Sequence, residues 1–160
     1  MFLDCNEIIQ DRLWIGSFVR PEEVKILRQM EITAILSLQS DQDLAACSIS
    51  PKLLLKAYAL SGMELRRIPI PDFDRQAFAA ALPQAVEELE KALGPPRARV
   101  YVHCTAGINR SPTLAAAYLI KIRGLSAREA YDHVVSRRHC GPYLATLEEY
   151  EESLKNVRAG

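Results

Sequence analysis

Four cysteines are all the chain has, and Cys5, Cys47, Cys104 and Cys140 are widely scattered with no CxxC pair. That spacing gives no basis for a disulfide framework or a zinc site, so no metal is expected and reduced thiols in a cytosol are the simplest reading. Charge of one sign is missing too: Lys plus Arg equals Asp plus Glu at 20 each, which removes the electrostatic case for nucleic acid or an anionic membrane surface as partner. No apolar run approaches the roughly 18 residues that a membrane helix needs. The start, MFLDCNEIIQDRLW, alternates apolar and charged residues and has neither the basic opening nor the continuous apolar stretch of a secretory signal. A cytoplasmic location is the expectation from these features. Repeats, low-complexity tracts and linker-like segments are absent as well.

What remains is the composition of an ordinary globule, 160 residues with 49% hydrophobic and 25% charged, enough for one domain with a real core. We expect a single domain over 1–160, ordered from about 5 to 157. EIIQDRLWI reads as short strands around an Asp11-Arg12 turn, and Pro21 opens an amphipathic helix through Met30. TAILSL, from Thr33 to Leu38, is a buried strand. LQSDQDLAACSISP reads as a polar loop ended by Pro51, followed by a short helix around LLLKAYAL. ELRRIPIP is a strand running into PDFD, and a helix spans Gln76 to Leu93 before Gly94-Pro95-Pro96 stops it. ARVYVHC is a strand, SPTLAAAYLIKIRG a helix closed by Gly124. Ser126 caps a helix through Arg137 with Glu129 three positions on, and a last helix covers Tyr143 to Val157, with NVRAG liable to fray. The alternation predicts an α/β fold, a single three-layer domain with a mixed central sheet flanked by helices.

Residues 103–110 read HCTAGINR, a cysteine and an arginine separated by five residues, directly after a strand and directly before a helix. In such a turn the backbone N–H groups of Thr105, Ala106, Gly107, Ile108, Asn109 and Arg110 can face inward as a nest. The following helix adds its partial positive charge, and the result suits a phosphate. Gly107 fits a loop that needs a positive φ or a close approach, and Arg110 offers a planar fork for two phosphate oxygens. A helix N-terminus and a nearby cation also favour thiolate over thiol, which makes Cys104 a candidate nucleophile. Ser111 is placed to hydrogen-bond that sulfur and ease its departure. His103 is read as ordering the loop rather than acting as a base.

Phosphoryl transfer to sulfur needs a proton for the leaving oxygen, so a carboxylic acid should face the cradle. PDFD supplies Asp72, 32 residues before Cys104, with Asp74 in reserve and also suited to capping a helix. Phe73 between them is either core or a contact for the substrate's leaving group. Arg137, Arg138 and His139 read mainly as a solvated helix end, with phosphosubstrate contact as the alternative. Gln39, Asp41 and Asp43 read as shaping a polar loop, with lining the cleft as the lesser reading. His133 and Trp14 read as packing residues. Cys5, Cys47 and Cys140 are taken as inert, with a disulfide to Cys104 as the alternative.

HCTAGINRSPT, with an upstream Asp on a loop, resembles the dual-specificity branch of the protein tyrosine phosphatase superfamily. The likeness runs through RLWIGS, TAILSLQ and SRRHCGPYLATLEEY. Within that branch LQSDQDL, IPDFD and HCTAGINR are most similar to the plant glucan phosphatases related to laforin. The resemblance implies that Cys104, Arg110 and Asp72 hold the family's catalytic positions, that Ser111 matches its hydroxyl residue, and that no cofactor takes part. It implies a phosphoprotein or a phosphoglucan as partner. The phosphoprotein comes first, because LAACSIS and Gly141 stand where the plant enzymes carry sugar-stacking aromatics, leaving only Phe73 of that platform.

Two other classes compete: a catalytically silent phosphate-binding module, which an intact Cys104, Arg110 and Asp72 argue against, and a rhodanese-like sulfur carrier, which has no use for the upstream acid. Because thiolate and protonated carboxyl must coexist, phosphatase activity is expected to be bell-shaped in pH with its maximum on the acidic side of neutrality. A steady-state pH–rate series checks this, and a flat or alkaline-rising profile removes Asp72 as the acid.

Overall fold

Short apolar runs, rather than long ones, build the sheet. The computed structural model describes residues 2–159. Strands β1 (Cys5–Ile9) and β2 (Leu13–Gly16) form an antiparallel hairpin, with Asp11 at φ 59°, a left-handed position that Asp tolerates in a tight turn. β3 (Ala34–Ser37), β4 (Glu64–Arg67) and β5 (Val100–His103) complete a mixed sheet ordered β1-β2-β5-β3-β4, parallel from β2 onward. LWIG, AILS and VYVH are buried along their whole length, as strands covered on both faces must be. Edge strand β4, ELRR, stays partly exposed and charged, which discourages pairing with another chain.

The period-two alternation of side chains splits the interior into two cores. Leu13, Ile15, Leu36, Val100 and Val102 face one side, with Leu82, Leu89, Leu114 and Leu147. Trp14, Ile35 and Tyr101 face the other, with Leu27, Leu54 and Tyr58. The first core takes its helices from α4 (Arg75–Leu93), α5 (Arg110–Arg123), α6 (Ala127–Arg137) and α7 (Leu144–Ala159). α5 is the most enclosed of these, packing against α4, α6 and α7 with an Ala115-Ala116-Ala117 run that lets its neighbours approach closely. It ends at Gly124 with φ 66°, the left-handed cap that stops a helix. The second core takes α1 (Val24–Gln29), α2 (Asp41–Ala46) and α3 (Pro51–Leu60).

Four local expectations change. The Pro21 helix opens as a 3-10 turn, Pro21–Glu23, before α1. LQSDQDLAACSISP is not a loop: it carries α2, because Ser40 accepts from the Asp43 N–H while Asp43 accepts from the Ser40 N–H, a reciprocal cap. ELRRIPIP leaves the sheet as a strand at Arg67, two residues before Pro69, although Ile68 and Ile70 still donate to Ser37 and Leu38. α7 continues to Ala159, through residues expected to fray.

This architecture brings Gly16, His103 and Ser37 side by side at the carboxyl end of the parallel strands. In open α/β sheets that edge is where ligands bind, and β5 delivers HCTAGINR to its middle.

Candidate active site

Between β5 and α5 the backbone turns through Cys104–Asn109, and every carbonyl along it is tied to something outside the turn. His103 Nδ1 donates to Cys104 O at 2.9 Å, and the Phe18 N–H donates to Thr105 O at 2.9 Å. Arg138 donates to Ala106 O at 3.2 Å and to Gly107 O at 2.8 Å. The Gly141 N–H donates to Ile108 O at 2.8 Å, and Asn109 O accepts from the Thr113 hydroxyl at 2.6 Å. A peptide's N–H points opposite to its C=O, so carbonyls held outward turn the amides of Thr105 to Arg110 toward the enclosed side. Among the described residues, none of the amides of Thr105 through Asn109 donates to a protein acceptor. Gly107 has φ 70°, and a Cβ there would lie 2.5 Å from the Gly16 carbonyl carbon. The turn presses directly on the end of β2, so a glycine is required.

At the floor of this turn Cys104 is buried, its Sγ 3.4 Å from the Ser111 hydroxyl. His103 is fully buried, and burial pushes its imidazole down to about 4. The ring is therefore neutral near pH 7, with its Nδ1–H fixed on the Cys104 carbonyl. Cys104, Asp72, Phe73, Ile108 and Arg110 line a cavity of about 250 Å³ at the surface, large enough for a phosphate group.

Arg110 is buried, and its Nη1 is held by Asp43 Oδ2 at 2.6 Å, Ile70 O at 2.8 Å and Leu38 O at 3.4 Å. Its Nη2 meets Thr105 Oγ1 at 3.3 Å and Asp72 Oδ2 at 3.1 Å. The structure thus brings Asp72 to the cradle, while Asp74 accepts from the Ala77 N–H as the cap of α4 and lies outside it. Phe73 is 86% exposed at the cavity mouth with φ 59°, a conformation costly for an aromatic, so it is not core.

Two residues read differently from sequence prove to be part of the site. Asp43 anchors the guanidinium. Burial alone would raise its carboxyl, but bonds from Arg110 and Ser40 outweigh that and hold it below the usual carboxylate range. Arg138 is buried under the turn and not solvated, whereas Arg137 and His139 are exposed as expected. Gln39 donates to Thr105 Oγ1 at 3.1 Å from a buried position, and Asp41 pairs with Arg67 at the surface. Cys140 and Cys5 are half-buried free thiols, and burial pushes the first up to about 11 and raises the second. His133 bonds Ile8 O and Trp14 packs beneath Arg99, both structural.

The family model of the dual specificity phosphatase catalytic domain matches residues 13–153. The chain belongs to that family. It is 32% identical over 142 residues to the phosphoglucan phosphatase DSP4 (amyloplastic) of Castanea sativa, covering 87% of this chain and 38% of that protein. It is 41% identical over 97 residues to dual specificity protein phosphatase 8 of Mus musculus, covering 58% of this chain and 14% of that one. The chain therefore spans well under half the length of these relatives. Among solved structures PTPMT1 aligns with TM-score 0.76 at 23% identity, covering 97% of this chain and 98% of that one, a likeness of fold.

Two measurements follow for this phosphatase domain. In the unfolded chain His103 titrates near 6.5, in the fold near 4, so the unfolded state binds the extra proton between those values. Stability from this group is therefore full above 6.5 and is lost as pH falls toward 4, by up to about 3 kcal/mol. Urea melts at pH 7 and pH 4.5 should show a smaller acid loss for His103→Gln than for the parent, and equal losses would contradict the burial argument. Removing the anchor in Asp43→Ala should cost about 2 kcal/mol of stability and lower kcat/KM by about ten- to a hundredfold through misplacement of Arg110. Unchanged kinetics toward p-nitrophenyl phosphate would show that the ion pair does not position the guanidinium.

Proposed function

We propose that residues 1–160 form one catalytic domain, with an ordered core of about 5–157, that hydrolyses phosphomonoesters through a phosphocysteine intermediate. The observation that carries this reading is the buried Cys104 sulfur at the floor of a turn whose carbonyls are all held outward, with Arg110 beside it. A phosphate seated there meets the inward amides of Thr105, Ala106, Gly107, Ile108, Asn109 and Arg110. Because Asp43 and two carbonyls hold Nη1, a phosphate gripped through two oxygens takes the Nε–Nη2 edge of Arg110, replacing the Asp72 Oδ2 and Thr105 Oγ1 contacts at Nη2.

The Cys104 thiolate attacks phosphorus, an S–P bond forms, and the P–O ester bond breaks. Asp72 gives its proton to the departing oxygen while the amides and Arg110 stabilise the equatorial oxygens. Asp72, now a carboxylate, takes a proton from water, whose oxygen attacks phosphorus. The S–P bond breaks and the pair returns to sulfur, which the Ser111 hydroxyl stabilises from 3.4 Å. A thiolate nucleophile needs a reducing compartment, so we place the protein in the cytoplasm, with neither nucleic acid nor membrane as partner. No helix of the described residues is long and apolar enough to cross a membrane.

The substrate we place first is phosphotyrosine and phosphoserine or phosphothreonine on proteins, supported by the similarity to dual specificity protein phosphatase 8. A phosphoglucan is the second reading, favoured by the DSP4 relative and by Phe73, whose exposed ring at the mouth suits stacking on a sugar. Cys104→Ser should abolish turnover of p-nitrophenyl phosphate and Asp72→Ala should lower kcat by about 10²–10⁴. Retained turnover in Cys104→Ser overturns the mechanism. Phosphate release from phosphopeptides and from solubilised amylopectin at matched enzyme concentration decides the substrate, and greater release from amylopectin reverses the order.

A further inference from the structure

Arg138 follows the last residue of α6 in extended conformation and is 5% exposed. Its donors are spent with no remainder. Nε donates to Gly107 O at 2.8 Å, Nη2 to Ala106 O at 3.2 Å and Asp4 Oδ2 at 3.0 Å, and Nη1 to Asp4 Oδ1 at 2.9 Å and Asn6 Oδ1 at 3.0 Å. A guanidinium has five N–H donors in a fixed plane, so this residue spans two backbone carbonyls of the turn and two side chains near the start of the chain in one rigid fork.

We infer that Arg138 is a positioning residue for the phosphate-binding turn, locked by Asp4, and that together they set the direction of two cradle amides. This rests on the catalytic reading of Cys104 given above. Drawing the Ala106 and Gly107 carbonyls outward turns the N–H groups of Gly107 and Ile108 inward, because each amide belongs to the same planar peptide unit as the carbonyl before it. The backing is tight: a Cβ on Gly107 would lie 2.7 Å from Arg138 Nη2. Any acceptors would satisfy a buried guanidinium, but taking two of them from the turn also preorganises amides toward developing charge, which gains rate. The fork bond from Arg138 also holds the Asp4 carboxyl below its usual range, so the pair stays charged across the working pH.

Inorganic phosphate is the probe, its Kd read by 31P NMR, with kcat and KM for p-nitrophenyl phosphate measured well below each variant's melting midpoint. Arg138→Met should raise the phosphate Kd by about tenfold and lower kcat by at least about tenfold. Arg138→Lys, which can reach one carbonyl but not both, should recover part of each. Asp4→Asn should shift both in the same direction by less, and Arg137→Ala, one residue away and exposed, should match the parent. Parental phosphate affinity and kcat in Arg138→Met and Asp4→Asn, even with lowered melting, would leave a structural clamp only and overturn the inference. Should Arg138→Met fail to fold, Asp4→Asn decides by the same criterion. A parent chain that neither binds phosphate nor turns over the ester would sink the catalytic reading and this inference together, a different outcome from an active parent with unaffected variants.

Discussion

The site depends on where six carbonyl groups point. A turn of this length between a strand and a helix has no ladder of its own, and left free its peptide units would rotate to satisfy themselves. Its six carbonyls are claimed by five parts of the fold: His103 beneath it, Phe18 after β2, Arg138 at the end of α6, which takes two, Gly141 before α7 and Thr113 within α5. With the acceptors taken, the donors have one side left to face. The electrostatic character of the cavity follows from tertiary hydrogen bonding more than from the residue types in HCTAGINR.

Arg110 shows the same principle applied to a side chain. Its charge is buried between two carboxylates and three further acceptors, so desolvation is offset by paired partners. The division of labour between the two acids follows from geometry. Asp43 belongs to the capped start of α2, its Oδ2 accepting from both the Ser40 N–H and Nη1, and it is fixed. Asp72 belongs to the irregular segment between β4 and α4, beside a Phe73 in a strained conformation, where movement during a reaction costs less.

Much of this was legible in the sequence, and the parts that were not share a cause. Buried runs such as VYVH and the apolar period of α4 and α5 announce themselves locally, as does the order strand, turn, helix around Cys104. The cap Asp74-Arg75-Gln76-Ala77 and the capping box at Ser126 were also readable. Asp43 and Arg138 were not. Each has an ordinary local role, a loop carboxylate or a helix-end cation, and its task exists only through partners 67 and 31 residues away. The helix α2 was missed because six residues are too few to display a period, although Ser40 and Asp43 carried a weak capping signal. Whether Arg137 or Arg138 turns inward depends on the direction in which α6 ends, which periodicity alone leaves undetermined.

Gly16 and Gly107 meet backbone to backbone, and a methyl group on Gly16 would strike Asp4 O, the Tyr101 hydroxyl and Cys5 Cα. Two segments far apart in the chain are thus fused at a point where neither can grow a side chain. Drift in the amino-terminal hairpin has no slack to absorb it before reaching the anion pocket. Sequence variation in this molecule is therefore constrained well outside the signature motif, and a chemically inert residue on a strand becomes as intolerant of replacement as one that touches the reacting atoms.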